Sequence, residues 1–247
     1  METHDLKGWI CAGVSPERWR RQVELSRDLP GVWHGFGVHP WAIRGEEARD
    51  NLSEWLHVLA QALEGALGVS PVGIGETGLH RIKGGETADL ALQEHSLLAH
   101  LELANTYQLP LIFHCVNAHG RLLDILGSEG VPSGGMVHSF SGSVEVMKRY
   151  VSLGLMVSFS GLITRPGARR AREAAASIPG DHLLIETDAP DQRPVGVGEE
   201  ESPFTWLPRI LSEVSALRNT PSNHVREITT ENARKLFRLD IETPSGG

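Results

Sequence analysis

The sequence predicts an α/β protein folded as a TIM (β/α)8-type barrel, with seven of the eight strands recognisable and the first one missing. Three observations carry this. Short apolar, β-branched runs alternate with longer helical stretches from one end of the chain to the other, the pattern of a parallel sheet covered on its faces. His39, Glu76, His114, His138 and Asp188 all fall at or just beyond the C-terminal ends of different runs. A barrel gathers those ends around one centre, whereas an open doubly wound sheet strings them along an edge. The length of 247 residues suits one such domain, spanning 1–247.

Taken in order, the first strand is GWICAG at 8–13, followed by a helix over 16–27 that starts at Ser15 with Pro16 in the first helical position. VWHGFGV gives a strand at 32–38, and Asp50 or Ser53 before an apolar run starts a helix over 51–64. Strand 72–76 (VGIGE) precedes a helix over 87–107, and strand 109–115 (LPLIFHC) precedes one over 119–126. Strands at 136–140, 156–160 and 183–187 alternate with helices over 144–152 and 168–177, and two helices close the chain at 204–217 and 224–237. The segment 191–202, rich in Pro, Gly and Glu, follows a strand end and precedes a helix, so it is expected to be a loop over the site. No internal repeat or heptad interrupts this order.

Composition removes whole classes of function. Hydrophobic residues make up 40% of the chain, enough for a sizeable core, and 27 Gly with 14 Pro are too few for a low-complexity segment. No apolar run approaches the roughly 18–20 residues of a membrane span. Met1 is followed by Glu2, Thr3, His4 and Asp5, without the basic and apolar regions of a secretory signal, so a cytoplasmic protein is expected. Cys11 and Cys115 sit inside apolar runs and are expected to be buried reduced thiols. The formal net charge of −8 argues against holding nucleic acid by counterion release alone, so an anionic substrate needs local help such as a metal. Twelve histidines invite a search for such a site.

Each candidate has a plain structural explanation when taken singly. Glu76 ends a strand between glycines, as many solvated turn residues do; His114 and His138 follow apolar residues like ordinary core histidines; Asp188 before Ala-Pro is a common turn residue. Together they are metal-competent side chains ending different strands, which a barrel aims at one point. Nitrogen and carboxylate donors of this mixture suit zinc, manganese, iron or a weaker magnesium site, and without a closing cysteine cluster they suit catalysis better than structure. His34, His57, His95, His100 and His182 lie on strand starts or helices away from that face and are expected to be structural. Trp33, Trp41, Trp55 and Trp206 are candidates for base stacking or for the core, and Trp41 adjoins the His39 loop.

In order and spacing, FGVHP (36–40), GIGETGL (73–79), the helical stretch from Gln93 before LPLIFHC, VHSFSG (137–142), LGLMVSFSG (153–161), ETDAP (186–190) and TENARKLF (230–237) resemble the TatD family of metal-dependent deoxyribonucleases, within the amidohydrolase-like barrels. The resemblance runs from about Trp9 to Leu239. It implies a divalent-metal-dependent nuclease, with one or two ions (Mg, Mn or Zn), in which Glu76 bridges the metals and His114 and His138 hold one of them. Asp188 then sits on the other and orients or deprotonates the attacking water, which makes Glu76 and Asp188 the catalytic pair. His39 resembles a pocket histidine that contacts substrate, and DNA is the implied substrate.

The sequence also departs from the family. A His-x-His strand normally precedes the one matched by GWICAG, and His4 is no substitute, because six residues at about 3.3 Å each separate it from the catalytic face. His80 replaces the aspartate of Gly-Glu-x-Gly-Leu-Asp, Val116 and Asn117 replace an Arg and an Asp, and Glu199 to Glu201 fill a stretch that is normally basic. These departures motivate two alternatives: an impaired family member that binds without turnover, and an amidohydrolase-type enzyme acting on a small ester or amide. A barrel lacking its first strand also leaves two facing edges, through which a homo-oligomer is expected.

Overall fold

A computed structural model describes residues 6–82 and 87–241, the side chains of 87–89 excepted; His4 lies outside the described residues. Among the described residues, seven strands, β1 (Trp9–Ala12), β2 (Val32–Phe36), β3 (Gly73–His80), β4 (Leu111–Val116), β5 (Gly135–Val137), β6 (Met156–Phe159) and β7 (Leu183–Ile185), form one sheet in sequential order. Every neighbouring pair is parallel. Between them run α1 (Pro16–Ser26), α2 (Gly45–Leu63), α3 (Thr87–Tyr107), α4 (His119–Glu129), α5 (Val144–Ser152) and α6 (Arg169–Ser177), with α7 (Trp206–Arg218) and α8 (Ser222–Phe237) after the last strand. One helix per crossover and strictly sequential pairing curl the sheet into an incomplete TIM-like barrel. Its two ends are linked by side chains, since Trp9 of β1 meets Phe204 from the segment after β7 with ring centroids 4.7 Å apart. Among the described residues no helix is long and apolar enough to cross a membrane.

Several boundaries correct the sequence reading: the strands expected to reach 38, 140 and 187 end at Phe36, Val137 and Ile185, and two other elements shift further. Helix α2 begins at Gly45, with Asp50 and Ser53 inside it; Glu46 and Glu47 occupy its first turn, where carboxylates meet the positive end of the helix dipole. Strand β3 continues past Glu76 to His80. The loop 191–202 packs beside the 3-10 turn Gly161–Thr164 that follows β6, the Val195 N–H donating to Thr164 Oγ1 at 2.8 Å.

The period of two along each strand sorts side chains into two cores. Phe36, Ile74, Leu111, Phe113, Val137, Val157, Phe159 and Leu183 join Trp19, Leu59, Leu97, Leu122 and Tyr150 of the helices in the large outer core. Ile112, Met136 and Leu184, with partly buried Ile10, Trp33 and Met156, point the other way into the curled sheet, closed below by Phe237 and Leu239. Inward positions are therefore apolar near the N-terminal ends of the strands. Two residues further on, the same face becomes polar.

Candidate metal centre

That change of polarity builds the site. His114 stands two residues after inward Ile112, His138 two after Met136, and Glu186 two after Leu184. Glu76 arrives by another route. Gly75 pairs with Ile112 and Thr77 with Phe113, so Glu76 is the extra residue of a β-bulge, a device that re-aims a side chain. The flanking glycines make this possible. A Cβ on Gly75 would meet the Ile112 carbonyl oxygen at 2.6 Å and one on Gly78 the His114 carbonyl oxygen at 2.1 Å, and both residues have positive φ.

Around the Glu76 carboxylate the ring nitrogens converge. Its Oε2 lies 2.8 Å from His138 Nε2, 3.3 Å from His39 Nε2 and 3.7 Å from His114 Nδ1. His114 Nδ1 is 3.1 Å from His39 Nε2 and 3.0 Å from His138 Nε2. Donor atoms bonded at about 2.0–2.1 Å to one ion stand about 2.9–3.4 Å apart, so most of these separations match ligand edges. By spacing alone His39, Glu76 and His114 form a group able to hold an ion.

The protons refine that group. The Trp41 backbone N–H donates to His39 Nδ1 at 2.9 Å, so neutral His39 carries its proton on Nε2 and faces Glu76 as a donor, without a lone pair for a metal. The Trp41 indole N–H donates to His80 Nδ1 at 2.9 Å, which makes that atom an acceptor. His114 Nε2, 2.9 Å from the same atom, must then carry the His114 proton. The lone pair of His114 consequently lies on Nδ1, directed into the cluster. An outer partner that fixes the tautomer of an inner imidazole in this way is typical of metal-ligating histidines. His80 is itself tied down: its N–H donates to Gln93 Oε1 at 2.8 Å, and buried Gln93 also reaches the Pro40 carbonyl oxygen.

Electrostatics completes the picture. Burial pushes the His114 imidazolium down to about 3, against the pull of the nearby Glu76 carboxylate, so the ring is neutral. Burial also opposes the charged forms of Glu76 and His138, but their mutual attraction and hydrogen bonds outweigh it, holding the carboxyl well below and the imidazole well above their ordinary ranges. On the far edge of the His138 ring, Nδ1 lies 3.6 Å from Asp188 Oδ1 and 3.7 Å from Glu186 Oε1. Glu186 is fixed by the Ser139 N–H at 2.5 Å. Burial and then the Glu186 charge push the Asp188 carboxyl up to about 7. The cluster thus holds protons on nitrogens that face carboxylates, and an ion displaces such protons when it binds.

Of the residues predicted from sequence, Glu76, His114 and His138 lie in mutual contact, His39 lies beside them through a donating nitrogen, and Asp188 stands across His138. Sequence reasoning took His80 only as a departure and passed over Gln93, Ser139 and Glu186 as site residues. The available signal was parity, since His80 and Glu186 occupy inward positions at strand ends. Two of the histidines expected to be structural are tied to neighbours away from the cluster: buried His34 bonds to Gln22 and Ser26, and His182 lies 2.9 Å from the Leu155 carbonyl oxygen.

Comparison with known proteins gives consistent relatives. Residues 1–238 match the family described as TatD related DNase. The chain is 30% identical to the uncharacterized metal-dependent hydrolase YjjV of Escherichia coli, over 93% of this chain and 86% of the relative. It is 31% identical to the 3'-5' ssDNA/RNA exonuclease TatD of Salmonella typhimurium, over 95% of this chain and 88% of the relative. The crystal structure of E. coli YjjV superposes with a TM-score of 0.84, covering 95% of this chain and 87% of that one. A TatD family hydrolase from Entamoeba histolytica, 19% identical with 94% of this chain and 84% of that one covered, shares the fold at a TM-score of 0.74.

Proposed function

The chain belongs to the TatD-related DNase family of metal-dependent hydrolases acting on ester bonds, and on that premise we propose that it cleaves phosphodiester bonds of single-stranded nucleic acid, DNA first. The observation that carries this reading is the lone pair on His114 Nδ1, fixed by His80 and aimed at a buried carboxylate beside two further imidazoles. Glu76, His114 and His138 would hold a divalent ion, and Asp188, across the His138 ring, would stand beside the site. Mixed nitrogen and oxygen donors suit manganese or zinc and accept magnesium less well. The ion, when bound, polarises a phosphoryl oxygen and activates water.

The remaining work falls to the protein. Glu76 would hold the ion through its carboxylate and keeps a negative charge at the centre of the cluster. His39 keeps its proton on Nε2, where it donates to a substrate oxygen, in line with its expected place as the substrate contact. Asp188 accepts the proton of the attacking water at Oδ1, and His138 Nδ1 lies beside that atom to orient it. Glu186 and the Ser139 N–H hold the His138 ring from behind. The name of the Salmonella relative supports a single-stranded substrate.

The experiment is cleavage of end-labelled single-stranded DNA and RNA by the 247-residue chain with magnesium, manganese or zinc, beside Glu76→Ala and an uncharged chromogenic ester. Metal-dependent DNA cleavage that disappears in Glu76→Ala and in chelator is expected. Ester turnover without cleavage of either nucleic acid moves the assignment to a small ester or amide.

A further inference from the structure

We infer that Trp41 is a stacking platform for a nucleobase of the substrate strand, next to the phosphate held at Glu76. Trp41 is 52% exposed, whereas Trp19 and Trp206 are buried and Trp33 belongs to the inner core. Exposed large apolar side chains are unremarkable when mobile and solitary, but this one is fixed at both ends. Its backbone N–H bonds to His39 and its indole N–H to His80, both at 2.9 Å. The rings of His39, His80 and His114 meet the indole at 61–63° and at centroid distances of 5.1, 5.6 and 6.3 Å. All three contacts are steeply inclined, so none of these rings is stacked flat on the indole, half of whose surface meets solvent. An oriented aromatic surface, open to solvent and one imidazole away from the metal cluster, therefore remains.

A nucleobase is the ligand this surface suits. A phosphate in front of Glu76 leaves its own sugar and base beside the indole. Every base offers a π-face, so stacking holds any sequence and asks nothing of the protein's charge. A chain with a net charge of −8 gains little from counterion release, and stacking supplies the affinity that a basic groove supplies elsewhere. Exposed Arg44, within electrostatic reach of His80, offers a cation to the flanking phosphate.

This inference rests on the phosphodiesterase reading, and the test separates the two. Single-stranded oligonucleotides with normal bases are compared with otherwise identical ones whose terminal residues are abasic, using wild type, Trp41→Ala and Trp41→Phe with manganese. The ratio of kcat/KM for the two substrates is the readout, because changes at the metal cluster cancel in it. A wild-type preference of about tenfold or more for the base-bearing strand is expected, falling towards one in Trp41→Ala and largely kept in Trp41→Phe. An unchanged ratio in Trp41→Ala overturns the platform while leaving the nuclease reading intact. In metal-free protein, quenching of intrinsic fluorescence by the base-bearing strand is expected in wild type and lost in Trp41→Phe. Quenching that persists undiminished in Trp41→Phe also overturns it. If no phosphodiester is cleaved by wild type but this quenching pattern holds, the platform stands and the nuclease reading falls.

Discussion

His100 and His114 are both buried imidazoles, and they have been placed in opposite kinds of chemical surroundings. His100, on α3, has each nitrogen matched to one backbone group: Nε2 accepts from the Val38 N–H at 3.0 Å, and Nδ1 donates to the Ser96 carbonyl oxygen at 2.7 Å. Nothing is left over, and the ring pins the strand end that leads into His39. His114 has one nitrogen matched, to His80, and turns the other toward two imidazole nitrogens and a carboxylate. Burial alone therefore does not distinguish a structural histidine from a functional one. The difference is whether the second nitrogen meets a single complementary group or a crowd of groups that compete for the same protons.

The sharpest way to break this contrast is to truncate both rings. His100→Ala removes the acceptor of a buried Val38 N–H and leaves a cavity, so unfolding free energy should fall by about 3–5 kcal/mol. His114→Ala orphans no neighbour, because His138 and His39 still face Glu76 and His80 still accepts from Trp41. Its loss of stability in chelator should be smaller than that of His100→Ala, because the truncation leaves a cavity but no orphaned donor, while metal-dependent cleavage falls by at least about 100-fold, since even outer partners of metal ligands are worth about 10–100-fold. Urea melts and cleavage rates check both halves. Equal stability losses would erase the distinction.

Acid offers a second test. Burial lowers the His100 imidazolium to about 4, against about 6.5 in an unfolded chain. The unfolded state therefore binds a proton at a higher pH than the folded state. The resulting stability is fully present above pH 6.5 and is lost as pH falls through the window down to about 4, by about 3 kcal/mol in total. Melts of chelated wild type and His100→Gln between pH 7.5 and 4.5 should show the slope flattened in the variant. A variant with the wild-type slope would assign the acid sensitivity elsewhere.

Much of this contrast was legible in the sequence. Apolar runs alternating with helices gave the parallel α/β class, and metal-competent residues at strand ends chose the barrel and pointed to Glu76, His114 and His138. The structural place of His100 followed from its helix. What could not be read was proton placement. Deciding that His39 turns a donor toward the cluster requires the Trp41 backbone N–H, and a bulge at Glu76 is needed before a residue out of strand register can face inward. His80 was hidden for the same reason, because its importance lies in a contact with His114 across two strands. The helix start at Gly45 was missed because an acidic first turn signals a helix less visibly than a capping Asp or Ser.

His80 supplies the finest test, since it converts His114 from a ring of the His100 kind into a ligand. With His80→Ala, His114 Nε2 loses its acceptor, and the His114 proton is free to shift to Nδ1, where it blocks the lone pair. Metal affinity measured by titration calorimetry should weaken by about 10–100-fold. Glutamine or aspartate at this position offers a side-chain acceptor again, so His80→Asp should recover more of the affinity than His80→Phe, which fills the space without accepting a proton. Nitrogen-15 spectra of the metal-free protein read the tautomer directly: His114 protonated on Nε2 in wild type and His80→Asp, and redistributed in His80→Ala and His80→Phe. If His80→Phe keeps the affinity that His80→Ala loses while the tautomer stays on Nε2, His80 acts only by filling space, and the matching of one outer nitrogen is not what makes a buried histidine a ligand here.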